Sequence, residues 1–298
     1  MGIYNEITAN RWKTGLLVVL FFGLVIFMGL MVGVFYGSTS FGLILAVIIG
    51  GLYFLFSYYA GAGMILAMSH AKEAKKPEHA YLINLVEGLS IAAGLSKVPK
   101  VYVMEDSALN AFATGRNPEN SAVAITTGLL SKLNRQELEG VIAHELSHIG
   151  NKDMLVSTVA VILVGFVSII ADMFLRSMFF GRRDNDRQGG GIIVMIGLIL
   201  SILTPIIANL INLAISRRRE FLADTSGALL TRYPEGLISA LQKISKDQTP
   251  MARASSATAH LWLESPFKNN DGKNWLAKLF MSHPPVEERV KALRGISI

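Results

Sequence analysis

The chain has 298 residues, 51% of them hydrophobic and 17% charged, with a mean hydropathy of +0.43, a balance that excludes an ordinary water-soluble globule. It carries no cysteine, which removes disulfide frameworks, thiolate metal sites and cysteine nucleophiles. The net charge of +6 is modest, and the basic residues gather beside apolar stretches, which favours anionic lipid head groups over nucleic acid as the partner.

No charged side chain occurs between Lys13 and Lys72. Thr14 to Tyr36 is a run of 23 such residues, and a helix rising about 1.5 Å per residue crosses a hydrocarbon core of about 30 Å over that length. The run is too long for a signal-peptide core and has no small-residue cleavage site, so it predicts an uncleaved transmembrane helix. Gly37-Ser38-Thr39-Ser40 reads as a turn, and Phe41 to about Met68 as a second span, giving an N-terminal hairpin over residues 1–71. Basic residues flank both open ends, Arg11 and Lys13 on one side and Lys72, Lys75 and Lys76 on the other. The positive-inside preference therefore places the N-terminus and the chain after Lys72 in the cytoplasm.

From 72 to 153 the charge density is that of a soluble domain. Pro77 and Glu78 open a predicted helix that runs to about Gly94. Val101–Met104, Asn110–Thr114 and Ala122–Thr126 read as short strands between turn-forming residues, so a mixed α+β domain is expected. Asn134 followed by Glu137 is a capping-box pattern, predicting a helix that ends at Gly150 as its C′ residue.

Met154 to Leu175 and Gly191 to Ile215, the latter interrupted by Pro205, predict a second apolar hairpin over 154–215. Its connecting loop holds Arg176, Arg182, Arg183 and Arg187 against Asp184 and Asp186, contrary to the positive-inside preference. Three arrangements stay open: a full crossing, a re-entrant dip, or a lining for a protein-enclosed cavity, which Asp172 near the tip would suit. In each of them the chain returns to the side it left. Residues 216–298 are soluble in composition, with predicted helices over Arg217–Leu230 and Pro234–Ser245 and a loop-dominated, less ordered stretch from Gln248 to Lys273.

The capped helix contains His144-Glu145-Leu146-Ser147-His148, an H-E-x-x-H pattern. Residues four apart share a helical face, so His144 and His148 are placed to hold one Zn²⁺ per chain, with Glu145 beside it as general base and acid. A catalytic zinc needs a third protein ligand and an open position. The candidates are His70, His79, His260, His283 and Glu220. Glu220 is preferred because Asp224, one turn further along Arg219-Glu220-Phe221-Leu222-Ala223-Asp224, is suited to accept the second ring N–H of a ligating histidine.

H-E-L-S-H, an apolar hairpin, R-R-R-E-F-L-A-D and S-H-P-P-V-E-E-R, after an N-terminal membrane hairpin, together resemble the HtpX family of membrane-embedded zinc proteases across essentially the whole chain. The resemblance implies a gluzincin-like catalytic core related to the CAAX prenyl endoproteases, with zinc held by His144, His148 and Glu220. It also implies a multi-pass bacterial inner-membrane endopeptidase, its catalytic domain facing the cytoplasm, that degrades damaged or misfolded membrane proteins in the envelope stress response. His283, before Pro284, matches the family's H-P element and is suited to donate to the oxyanion, with Arg289 assisting at the substrate. Asn110-Ala111-Phe112-Ala113 resembles the family's strand before the zinc helix, whose edge would bind an extended substrate, placing Asn110 among the substrate-binding residues.

Two other readings are weighed. An intramembrane protease would bury Arg135, Glu137 and Glu139 of the motif's own helix in lipid, at a cost of several kcal/mol. A non-hydrolytic zinc-binding scaffold or transporter predicts polar residues along the spans, whereas the spans of the first hairpin carry no charge and the second offers chiefly Asp172, Thr204 and Asn209.

Overall fold

In lipid every backbone N–H and C=O must be satisfied within the segment, so a long run free of charge and proline has the helix as its only open-chain solution. The computed structural model describes residues 3–35, 37–159, 162–163, 165–166, 217–252, 261–264 and 284–296. It places α1 over Ile3–Phe35 and α2 over Thr39–Met68. Both are long and apolar enough to cross a membrane, through Thr14–Met31 and Thr39–Met68. The turn between them uses Gly37 at a positive φ of 69°, and Ser38 caps α2 by accepting from the Phe41 N–H (3.4 Å).

The two helices touch through small residues. A Cβ on Gly42 would collide with Gly29 O and the Gly33 backbone, and a Cβ on Gly50 would lie 2.6 Å from a Val25 methyl. Where lipid is as apolar as leucine, such close backbone approach is the main source of helix association. Residues 154–159, 162–163 and 165–166 are helical and pack on α1, Val156 and Val159 against Leu17, and Leu163 against Phe21 and Val25. The rest of the second apolar hairpin, with Asp172, lies outside the described residues.

After α2 come β1 (Lys72–Glu73), α3 (Ala80–Ala92), β2 (Lys100–Met104), β3 (Ala111–Asn117), β4 (Asn120–Thr126), α4 (Thr127–Lys132) and α5 (Arg135–Gly150). Later in the chain lie α6 (Arg217–Thr231), α7 (Pro234–Lys246) and α8 (Val286–Arg294). The four strands form one sheet in the order β1-β2-β4-β3, with β2 and β4 parallel and the other pairs antiparallel.

Alternation along the strands gives the sheet two apolar faces. Val101, Val103, Ala111, Val123 and Ile125 face α5 and join Val141, Ile142, Leu146 and Ile149 in the main core. Met104, Phe112 and Ala124 face the other way, onto Ile65 and Leu66 at the end of α2 and onto Trp262. One layer thus lies between the end of a membrane helix and the H-E-x-x-H helix. Gly150 is the last residue of α5 rather than the residue after it: Asn151 is the C-cap, and the left-handed residue is Lys152, with φ 58°.

Candidate metal centre

The phase of α5 is set at its start. Glu137 donates its N–H to Asn134 Oδ1 (3.0 Å) and accepts the Asn134 N–H at Oε2 (2.8 Å), closing a reciprocal capping box. Buried Glu137 also accepts from Ser239 (2.6 Å) and Lys243 (2.8 Å) of α7, so the cap is held from outside the helix. Burial alone would push its carboxyl up, but these partners and the Asn134 N–H outweigh it and hold it below the usual range.

With that phase, His144 and His148 turn one nitrogen each to a common point, their Nε2 atoms 3.2 Å apart. Their rings stand perpendicular, centroids 4.7 Å apart. Glu220, in the first turn of α6, places Oε2 3.7 Å from His144 Nε2 and Oε1 3.6 Å from His148 Nε2. Ligand atoms of the three residues all lie within 4.8 Å of one another. Tetrahedral zinc, with bonds of about 2.0–2.1 Å, separates its donors by about 3.3–3.4 Å, so the donor set and its spacing fit that ion. α6 reaches this depth because Gly227 faces the α5 backbone, where a Cβ would sit 2.9 Å from His144 N.

The electrostatics agree. Burial opposes a charged His148, but Glu220, Asp153 and Glu145 draw its pKa up to about 9. The pocket therefore favours positive charge at the point where the ligand atoms converge.

Each histidine is oriented by a carboxylate on its other nitrogen. His144 Nδ1 lies 3.0 Å from Asp224 Oδ1, and His148 Nδ1 lies 2.9 Å from Asp153 Oδ2. These bonds leave Nε2 of each ring free to act as a ligand atom. Arg289 of α8 grips Asp224 through both carboxylate oxygens, Nε to Oδ2 at 2.8 Å and Nη2 to Oδ1 at 2.6 Å. Burial would raise the Asp224 pKa, but Arg289 and His144 bring it down to about 2, so it is an ionised acceptor at neutral pH.

A narrow cleft of about 40 Å³ opens at this cluster, walled by Ala113, Glu145, Arg219, Leu261 and Leu263 together with the three ligand candidates. That volume admits water. Ala113 lies on β3, the end strand of the sheet. Thr126 N–H donates to Asn110 O across the ladder, while Leu263 N–H reaches Ala111 O from outside the sheet (3.0 Å). By period-two alternation the peptide groups of Ala113, a residue of the cleft wall, also face outward, away from β4.

Sequence expectation and structure part at several residues. Asn110, expected at the substrate, is 1% exposed, and its side chain pairs with the Glu264 backbone, Nδ2 to O at 2.9 Å and Glu264 N to Oδ1 at 3.3 Å. It tethers the 261–264 segment to β3. Arg289, also expected at the substrate, is 1% exposed and committed to Asp224. His283 and His260 lie outside the described residues, as does most of Gln248–Lys273. Among the described residues, His70 and His79 join no metal-capable group.

Two site residues escaped sequence reasoning. Asp153 lies past the end of α5, and only the turn through Lys152, with Asp153 N–H donating to His148 O (3.0 Å), swings it back. Arg219 looked like one of three equivalent basic residues, yet Arg217 and Arg218 are exposed and Arg219 is buried in the cleft wall.

Comparison with known proteins points the same way. The profile of peptidase family M48 matches residues 76–297. A protein named Protease HtpX homolog from Dictyoglomus turgidum is 44% identical over 291 residues, spanning 98% of this chain and 94% of the relative. Another of that name from Listeria monocytogenes is 43% identical over 307 residues, spanning 99% of this chain and all of the relative. The crystal structure of Ste24p from S. mikatae aligns over 97% of this chain and 67% of its own with a TM-score of 0.50, a likeness of fold at 16% identity.

Proposed function

We propose, since this chain belongs to peptidase family M48 and is a membrane-associated metalloendopeptidase of the HtpX type, that it uses one zinc ion at His144, His148 and Glu220 to cut damaged or misfolded membrane proteins at the cytoplasmic face of a bacterial inner membrane. Family membership sets aside the alternative of a non-hydrolytic scaffold or transporter. We assign the cleft to a gluzincin-type core within an envelope quality-control protease.

A zinc ion in that position supplies Lewis-acid stabilisation of charge on the scissile carbonyl and acidifies a water. The chain's own groups do the rest. Glu145, 3% exposed in the cleft wall, takes the proton from the attacking water and returns it to the leaving amine. Asp224 and Asp153 hold the two imidazoles in the tautomer that leaves Nε2 as ligand atom, and Arg289 keeps Asp224 ionised. The outward peptide group of Ala113 offers an N–H and a C=O to an extended substrate, a mode of binding with little sequence preference, which suits a protease that clears varied clients. His283 is assigned, from the family resemblance, the donor role toward the oxyanion.

The observation that carries this reading is the convergence of three ligand side chains from α5 and α6 on one cleft that also contains Glu145. A Glu145→Gln variant tests it. Zinc measured by mass spectrometry stays near one per chain, while peptide hydrolysis falls by about 10²–10⁴. Hydrolysis at the wild-type rate in that variant removes Glu145 from the mechanism, and loss of zinc on Glu220→Ala separates the third ligand from a bystander.

A further inference from the structure

Arg219 is 4% exposed, its Nε and Nη1 have no hydrogen-bond partner among the described residues, and it lines the cleft beside Glu145 and the ligand candidates. A guanidinium cannot shed its proton to escape an unfavourable setting, so its buried N–H groups without an acceptor favour a ligand that supplies one. The carboxylates among the described residues of the cleft wall, Glu145, Asp153 and Glu220, have tasks at the histidines or the scissile bond. Arg219 is the one arginine or lysine among the described residues lining the cleft. Its neighbours Arg217 and Arg218 point to the surface, so its inward placement is particular to this position.

We infer that Arg219 is a specificity residue that receives a carboxylate of the bound peptide, so that the enzyme prefers substrates carrying a negative charge close to the scissile bond. The inference rests on the proposed peptidase cleft and adds to it a chemical class of substrate. A backbone carbonyl would accept a hydrogen bond but leave the charge unmatched, whereas a carboxylate supplies both acceptor and counter-charge. The carboxylate comes either from an Asp or Glu side chain or from the substrate's own C-terminus. Main-chain pairing at Ala113 is indifferent to side chains, so Arg219 would superimpose a charge preference on an otherwise permissive site.

The test uses full-length enzyme in nanodiscs and matched peptides: Glu or Gln at each position flanking the cleaved bond, each with a free or an amidated C-terminus. The expected result is a kcat/KM about ten- to a hundredfold higher for one carboxylate-bearing member of a pair, with that ratio collapsing toward one in Arg219→Gln and falling between in Arg219→Lys. The arm that shows the ratio identifies the source, internal side chain or chain end. Dissociation constants for the same pairs, measured in the Glu145→Gln background, provide a readout independent of turnover. A wild-type ratio near one in both arms overturns the inference, as does a preference that survives Arg219→Gln, and the wild-type ratio decides even if the variants fail to fold. Failure to hydrolyse any peptide, with the binding preference present and Arg219-dependent, would instead count against the proposed activity and leave Arg219 as a carboxylate site.

Discussion

α2 and α5 obey opposite rules. The more apolar helix, α2, turns large side chains outward along most of its length, with Ile44 61% and Phe56 62% exposed, and buries small residues there, Gly42, Gly50, Ser57 and Gly61, before Ile65 and Leu66 pack onto the sheet at its end. The more polar helix, α5, is buried along most of its length, His144 at 0% and Glu145 at 3% exposure included. Hydrophobicity alone therefore ranks their burial backwards. The surroundings decide: lipid accepts leucine and phenylalanine as readily as a protein core does, so α2 needs only close contact with α1. α5 must find partners for the polar groups it buries: His144 meets Asp224, His148 meets Asp153, and Glu137 meets Ser239 and Lys243.

The sharpest way to break that contrast is to remove a partner from α5. Asp224→Ala leaves Arg289 buried without its counter-charge and His144 without its orienting acceptor. Stability in chemical denaturation should fall by about 3–5 kcal/mol, and zinc affinity by about 10–100-fold in competition titrations. Unchanged values on both measurements would show that the buried pair is dispensable.

Crowding the approach of α6 comes next. A methyl added at Gly227 would lie 2.9 Å from His144 N, so Gly227→Ala should cost about 1–3 kcal/mol and weaken zinc binding by moving Glu220 away from the histidines. Zinc binding at wild-type strength, with the fold intact, would mean that α6 can shift without carrying its ligand.

The cap of α5 has a pH signature. Because the folded pKa of Glu137 is depressed, its contribution to stability is complete above the unfolded value of about 4.3 and is lost as pH falls through the folded value. Glu137→Gln should therefore be destabilised by about 1–2 kcal/mol near neutrality, and its melting curve should approach that of the wild type as the pH drops below about 4. A gap that widens with acid would reverse the assigned sign.

On the other side of the comparison, the exposed face of α2 should be nearly indifferent. Ile44→Ala is expected to change thermal stability in nanodiscs by no more than about 0.5 kcal/mol, while a loss several times larger would reveal a partner on that face.

The N-terminal hairpin was legible because a charge-free run of spanning length has one backbone solution in lipid. The ends of α5 were legible to within a residue, since capping chemistry is local and Asn134 with Glu137 announces it. The pairing of His144 with His148 on one face follows from one-turn spacing within α5, and that of Glu220 with Asp224 from the same spacing within α6, and both were likewise readable. Register along a helix is written in neighbouring residues; the choice of partner between distant elements is not. The same motif spacing would have served whether Arg289 met substrate or Asp224, whether Asn110 lined the cleft or tethered residue 264, and whichever of Arg217, Arg218 and Arg219 turned inward. The packing of α6 against α5, of α8 against α6 and α7, and of residues 261–264 against β3 settled those choices, because each depends on volumes and charges brought together from far apart in the chain.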